Sequence, residues 1–183
     1  MLHPAPSDAS LEPYWDEAVA FEAFLPTAEK NADLWAAVWE RAHVPDDLAA
    51  RAAAVPGMWH LLALSEDWCG DAVNALPVVA RLAGETPGLD FRLLARDAHL
   101  DLMDRHLTNG RSRSIPVVLV LDADFVEHGW WGPRPSELQA WVMNEGLQLD
   151  PDERYKHVRR FYARDKGRTT LEEIISGIEQ AAE

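Results

Sequence analysis

The sequence predicts a single α/β domain with a central mixed sheet of about four strands flanked by helices. Three observations lead to this prediction. Short apolar runs of strand length alternate with segments whose apolar residues have helical spacing. The last two runs are separated only by the turn Asp122-Ala123-Asp124, which indicates a hairpin. A length of 183 residues with 48% apolar content suits one domain with a substantial core.

Helices are expected ahead of the sheet. Residues 14–25 and 35–42 both have apolar side chains at helical spacing, and Pro26 separates the two segments. A third, alanine-rich helix is expected over residues 47–54, where Asp46 is a suitable N-cap. Pro56-Gly57 would end that helix with a turn.

The strands of the sheet are expected at residues 58–64, 89–95, 116–121 and 125–130. Helices over residues 71–83 and 99–107 would connect the first three strands. Such crossovers favour parallel strands, and the hairpin then adds an antiparallel edge. Pro77 lies inside the first connecting helix, where it must remove a backbone hydrogen bond and bend the helix.

Three helices are expected after the hairpin. The first covers residues 136–147, and the second follows the N-cap signal Asp150-Pro151, with Tyr155, Val158 and Tyr162 facing inward. Thr170 opens the third. The predicted domain, residues 1–183, therefore has a core at about 58–147 and helical extensions over 12–55 and 150–182.

The charge of the chain limits its partners. Acidic residues number 31 and basic residues 17, which gives a net charge of −14. Such a chain repels phosphate backbones and anionic lipid, so we expect neither nucleic acid nor a membrane as partner. The first residues lack the features of a secretory signal, and a lone cysteine suits a reducing compartment. These features predict a cytoplasmic protein.

Cys69 is the only cysteine, so the chain can form no internal disulfide. It lies where an apolar strand is predicted to meet a helix. Unpaired N–H groups in the first turn of a helix stabilise a thiolate and lower its pKa. The acids Glu66, Asp67 and Asp71 act in the opposite direction. We expect a modest net lowering of the Cys69 pKa.

The segment Trp68-Cys69-Gly70-Asp71-Ala72 resembles the Trp-Cys-Gly-Pro-Cys active site of thioredoxins. Pro77 has the spacing at which that family kinks its active-site helix. Ile115-Pro116 precedes an apolar strand, as does the family's cis-proline beside the catalytic cysteine, and residues 129–132 resemble the family's glycine-bearing hairpin end. The resemblance covers about residues 58–147 and implies a thioredoxin fold.

Four further segments resemble a bacterial group of thioredoxin-like proteins with extra helices at both ends: residues 65–71, 107–110, 131–135 and 162–168. This chain differs from the family at three positions. Ala72 replaces the resolving cysteine, Asp71 replaces the motif proline, and Ala63 stands where thioredoxins bury an acid. The first difference excludes the dithiol mechanism, and the motif becomes a degenerate Cys-Gly-Asp-Ala site.

Two functions fit this resemblance. The first is monothiol thiol–disulfide exchange, in which Cys69 is the nucleophile and an external thiol, such as glutathione or bacillithiol, releases the mixed disulfide. No other cofactor would be needed, and the partners would be protein or small-molecule thiols and disulfides. The second is a redox-inactive binding or adaptor module that holds a protein partner in the same groove.

The resemblance also implies which residues would bind the partner. Trp68, Gly70, Asp71 and the pair Ile115 and Pro116 would form the docking surface and pair with an extended peptide. Trp130 or Trp131 is a further candidate for the wall of this groove.

The remaining polar clusters have competing explanations. Five acids and histidines occur close together, at Asp97, His99, Asp101, Asp104 and His106. Because Leu100, Met103 and Leu107 are expected to face inward, the cluster is interpreted as a solvated helix face and no metal is predicted. Three basic residues stand out, Arg111, Arg113 and Arg134. Arg111 and Arg113 could bind the carboxylate of a small thiol, and the alternative for these arginines is pairing with acids of the chain.

Overall fold

The structure is a computed structural model in which residues 2–183 are described. Its centre is a five-stranded sheet with the spatial order β1-β3-β2-β4-β5. The strands are β1 (Val19–Ala20), β2 (Trp59–Ser65), β3 (Leu89–Ala95), β4 (Val117–Leu121) and β5 (Glu127–Trp131). Every residue of β2 is buried, as expected of a strand with neighbours on both edges and helices on both faces.

Only β2 and β3 are parallel. Strand β4 is antiparallel to β2, and β5 is antiparallel to β4. The expectation that the first three predicted strands are all parallel is therefore wrong for β4. A parallel strand requires a connection that returns along the whole sheet, whereas the link from β3 to β4 contains only a four-residue helix, about 6 Å long. The chain stays at the same end of the sheet and reverses direction.

Helices surround this sheet. They are α1 (Glu12–Glu17), α2 (Phe21–Phe24), α3 (Ala32–Arg41), α4 (Asp46–Ala54), α5 (Gly70–Glu85), α6 (Leu100–Met103), α7 (Ser136–Asn144), α8 (Pro151–Asp165) and α9 (Arg168–Ala181). Short 3₁₀ turns occur at Leu25–Thr27, Arg96–Ala98 and Gly146–Gln148. Across residues 2–183, none of the helices has the length and apolarity that crossing a membrane requires.

Two predicted helices are interrupted. Residues 14–25 do not form one helix, because Val19 and Ala20 leave the helical path and pair with Leu93 and Arg92 at the edge of β3. The helix expected over 99–107 is confined to α6. Leu100 and Tyr155, both predicted to face inward, are 37% and 55% exposed. The spacing of apolar residues along a segment cannot show pairing with a distant strand. The edge of β3 offers unpaired backbone groups to any neighbouring segment.

The apolar core has two parts. The main part packs α5, α9 and the N-terminal helices against the sheet. A separate small cluster joins α7 to α8 through Leu138, Val142 and Tyr162, with Trp141, Val158 and Phe161 at its edge. Helix α8 is therefore held to the domain mainly through this small cluster. Tyr162 is the buried residue of that helix.

Candidate functional site

Cys69 is the N-cap of α5, at the point where the chain leaves β2. Its Sγ atom lies 3.5 Å from the backbone nitrogen of Ala72, which donates to it. The carbonyl oxygen of Ile115 lies 3.3 Å from the same sulfur and accepts from the thiol. The side chain is buried, with 7% of the residue exposed. The sulfur thus lies between a helix N-terminus and the loop that contains Pro116.

The expected lowering of the Cys69 pKa is wrong. Burial raises the pKa of the Cys69 thiol above its ordinary value, because desolvation disfavours the thiolate. The Ala72 N–H group lowers this pKa and the Asp71 carboxylate raises it further. The helix N-terminus acts as predicted, but its effect is smaller than the effect of burial. The depth of the sulfur is a tertiary property that the sequence did not show.

Asp71 occupies the position of the family's motif proline and points into the protein. Its Oδ2 atom lies 2.6 Å from a terminal guanidinium nitrogen of Arg134. Its Oδ1 atom accepts a 3.0 Å hydrogen bond from the hydroxyl of Tyr162. Burial raises the pKa of Asp71, and Arg134 and Tyr162 partly offset that shift. Both carboxylate oxygens therefore have partners within the chain.

Arg134 reaches Asp71 because the loop after β5 lies directly on the Pro116 loop. Gly132 has φ +135°, and a Cβ atom there would lie 2.2 Å from the carbonyl oxygen of Pro116. Only glycine permits this close approach. The Ile115–Pro116 and Gly132–Pro133 peptide bonds are both cis. Arg134 follows this contact, and its guanidinium also donates to Gln139 at 2.9 Å.

Tyr162 reaches the site from α8, outside the predicted 58–147 core. The turn after α8 packs on α5, since a Cβ atom at Gly167 would lie 2.5 Å from a methyl group of Val78. We did not predict Arg134 or Tyr162 as members of the site. Both residues lie in segments that resembled the bacterial group, 131–135 and 162–168, and that resemblance was the available signal.

Trp68 is on the surface beside Cys69. The residue is 49% exposed, and the guanidinium carbon of Arg96 lies 5.3 Å from the centre of its ring. Arg96 also donates to the backbone carbonyl of Arg113 at 2.8 Å, in the loop that leads to Pro116. The Gly70 carbonyl accepts from Asn74 within the first turn of α5, at 2.7 Å. Trp68 thus keeps an accessible aromatic face next to the site.

Trp130 and Trp131 do not flank a groove beside Cys69, and that prediction is wrong. Both residues are buried, at 5% and 2% exposed. Trp130 stacks on the His3 ring at 3.9 Å between ring centres. Trp131 donates its indole N–H to Glu173 at 2.6 Å. The segment near His3 and helix α9 cover the two rings, which sequence patterning in the hairpin could not show.

Ala72 and Ala63 are both fully buried. Ala63 is central in β2, opposite Val118 of β4 and Leu93 of β3. The position at which thioredoxins bury an acid is therefore apolar here. Asp71 is instead the carboxyl group that is buried beside the cysteine.

The acids and histidines at residues 97–106 do not share one solvated face. Arg113 forms a bidentate pair with Asp104, at 2.6 and 2.8 Å. Of the two predicted roles for this arginine, the structure therefore shows pairing with an acid of the chain. Arg111 lies beside that pair, at an open cavity of about 720 Å³. His106 is wholly buried, so its assignment to a solvated face is wrong. Within residues 2–183, no three His, Cys, Asp or Glu side chains are grouped to hold a metal ion.

These features define a protein of the thioredoxin fold: a cysteine at the N-terminus of a helix that follows a central strand, a facing cis-proline loop and a mixed sheet. A sequence model of the family described as Thioredoxin matches residues 18–156, and the chain belongs to that family. A search of curated proteins found no match.

Two solved structures are similar to this chain. One is a protein of unknown function from Pseudomonas aeruginosa, with a TM-score of 0.76 and 22% identity over 94% of this chain and 99% of the other. The second is an HIV epitope-scaffold, with a TM-score of 0.74 and 19% identity over the same shares of the two chains. At these identities the similarity shows the fold alone.

Proposed function

We propose that the protein carries out monothiol thiol–disulfide exchange with Cys69 as the nucleophile. One observation carries the proposal: the sulfur lies at the N-cap of a 16-residue helix, 3.5 Å from a backbone N–H and 3.3 Å from the carbonyl beside Pro116. A thiol between a helix N-terminus and the backbone of the buried residues Ile115 and Pro116 has the two features that exchange uses, partial thiolate stabilisation and a neighbouring backbone segment for a peptide.

The reaction would have two steps. The Cys69 thiolate attacks one sulfur of a partner disulfide, and the partner's other sulfur leaves as a thiolate that takes up a proton. An external thiolate then attacks the mixed disulfide and expels Cys69, which regains its proton. A bond between two sulfurs forms and another breaks in each step, so no net oxidant is required. A small cytoplasmic thiol such as glutathione or bacillithiol is the proposed co-substrate.

The raised pKa of Cys69 determines how this cycle would run. Only a small fraction of Cys69 is ionised at neutral pH, but a thiolate of high pKa is a strong nucleophile and a poor leaving group. An entering thiol would therefore displace the partner's sulfur from the mixed disulfide more readily than it displaces Cys69. We expect adducts on Cys69 to form slowly and to last long, with formation accelerating as pH rises.

The proposal is tested by incubating the protein with oxidised glutathione and following intact mass over time at several pH values. We expect one glutathione adduct on wild-type protein, reversal by added thiol, and no adduct on Cys69→Ser. The reference is a short unstructured cysteine peptide, compared at equal thiolate concentration. Adduct formation no faster than on that peptide would contradict the proposal.

A second candidate is a redox-inactive binding module. The burial of Cys69, its raised pKa and the absence of a second cysteine favour this reading. Exposed Trp68 would then be the main contact for a protein partner. Partner capture that is equal for wild type and Cys69→Ser would support the binding module, whereas capture that depends on the sulfur would support exchange.

A further inference from the structure

We propose that Arg134 and Tyr162 are positioning residues that hold the Asp71 carboxylate in the first turn of α5 and thereby set how readily the Cys69 thiol reacts. The inference deepens the proposed function, because it concerns the same sulfur. It adds residues from the loop after β5 and from α8 to a site that the motif places only at the start of α5.

The three side chains form a compact, nearly buried group. Arg134 and Tyr162 each bind a different oxygen of Asp71, at 2.6 and 3.0 Å. The side chains of Arg134 and Asp71 are 23% and 12% exposed, and Tyr162 is 4% exposed. Charges act strongly on one another in such surroundings because little water screens them. A fixed ion pair at this place therefore affects any neighbouring group that ionises.

Cys69 is such a neighbour, two residues before Asp71. The Asp71 anion disfavours a thiolate on Cys69, and the Arg134 cation favours one. The positive charge of Arg134 therefore partly cancels the effect of the Asp71 carboxylate on the Cys69 sulfur. Tyr162 is close to the same group, since ionised Cys69 contributes to its raised pKa after burial and Asp71.

Three other acids, in segments that neighbour the site, accept hydrogen bonds from N–H groups elsewhere. Glu66 accepts from the N–H of Asp97, and Asp67 accepts from the N–H groups of Glu29 and Lys30. Glu173 of α9 accepts from Trp131 and from the N–H of Ser136. Their contacts direct these carboxylates elsewhere. The charges that bear on Cys69 most directly are those of Asp71 and Arg134.

The experiment is the pH profile of Cys69 alkylation by iodoacetamide, followed by intact mass on folded full-length protein. The midpoint of the profile reports ionisation of the thiol, and the plateau at high pH reports access to it. A purely structural role would change the plateau or the stability and leave the midpoint in place.

We expect opposite shifts from the two members of the ion pair. Asp71→Asn removes the anion and leaves the Arg134 cation unpaired, so it should move the midpoint down by about one pH unit. Arg134→Gln leaves the anion alone and should move it up by about one pH unit, which slows alkylation at neutral pH roughly tenfold. Arg134→Lys keeps the charge and should return the midpoint toward wild type. Tyr162→Phe should give a smaller shift, because Arg134 still holds Asp71.

The double variant Asp71→Asn with Arg134→Gln tests whether Arg134 acts through Asp71. Without the carboxylate, Arg134 is no longer held in place, so its removal should shift the midpoint by less than half as much as in wild type. Arg51→Gln is the matched control. It breaks a bidentate pair with Glu179 that joins α4 to α9, with the same change of charge, and should leave the midpoint unchanged.

Midpoints of Asp71→Asn and Arg134→Gln that equal the wild-type value would overturn the proposal, as would an equal shift from Arg51→Gln. Asp71→Asn keeps the test available if Arg134→Gln does not fold. The result is independent of exchange activity. Shifted midpoints without a glutathione adduct would retain the positioning role and reject the proposed function. Unshifted midpoints, with adduct formation faster than on the reference peptide at equal thiolate concentration, would do the reverse.

Discussion

Two largely buried groups of polar side chains in this protein have different surroundings, and the comparison separates effects on the reactivity of Cys69 from effects on stability. Asp71, Arg134 and Tyr162 lie beside the only cysteine and keep some contact with solvent. His106 and Glu127 form a pair whose side chains are 0% and 2% exposed. Glu127 pairs with Leu121, at the end of β4 that is remote from Pro116. The first group bears on the thiol, and the second bears on the packing of the hairpin.

The partners of His106 explain its place in the core. One ring nitrogen lies 2.8 Å from the carbonyl oxygen of Leu102, and the other lies 2.9 Å from a carboxylate oxygen of Glu127. Both ring nitrogens therefore have an oxygen partner within the protein. The pair joins the end of α6 to β5, and the ring also contacts Trp130 edge-on. Such a fully paired group fixes the segment after α6 against β5.

The largest effect we predict concerns this second group. Glu127→Ala leaves a wholly buried ring nitrogen of His106 without its partner, and such an unsatisfied group typically costs about 1–3 kcal/mol. Urea unfolding should show this loss. The midpoint of Cys69 alkylation should not move in the protein that remains folded. A loss below about 1 kcal/mol, or a moved midpoint, would contradict the separation of the two groups.

The second prediction concerns the pH dependence of stability near Cys69. Because its folded-state pKa is raised, the folded protein holds the Cys69 proton more tightly than the unfolded chain does. Stability from this group is complete below the ordinary cysteine pKa of about 8.5 and is lost as pH rises through the folded value. Wild-type protein should therefore lose stability above that pH relative to Cys69→Ala.

This comparison is made by urea unfolding of both proteins at neutral and alkaline pH. Tyr162 also has a raised pKa and contributes to alkaline instability, but it is present in both proteins. The difference between them therefore reports Cys69 together with its effect on Tyr162. A difference that stays constant from neutral to alkaline pH would show that burial does not disfavour the thiolate.

The smallest effect on stability is expected for Trp68→Ala, which touches neither ionic group. Because Trp68 is 49% exposed, its loss should change the unfolding free energy by no more than about 0.5 kcal/mol. The midpoint of Cys69 alkylation should also be unchanged. Exchange with a peptide disulfide should slow several-fold, while alkylation by small iodoacetamide should not. Equal slowing with both reagents would mean that Trp68 affects the sulfur and not the docking of a peptide.

Much of the fold could be predicted from local pattern. The strands β2, β3 and β4, the long helix after Cys69 and the hairpin all follow from apolar runs, helical spacing and turn residues within a few positions. Strand β1 and the direction of β4 could not be predicted in this way. The first depends on pairing with a strand about 70 residues away in sequence, and the second depends on the path of a connection with little helix.

The candidate site divides along the same line. By itself, the sequence determined that a single cysteine begins a helix, that Pro116 lies in the loop before an apolar strand, and that no second sulfur can complete a dithiol. Only the tertiary structure decided how deeply Cys69 is buried, and thus that its pKa is raised. It also decided that Asp71 meets Arg134 and Tyr162. The physical reason is that burial and ion pairing depend on distances between segments far apart in the chain, whereas motifs and periodicity are properties of neighbours.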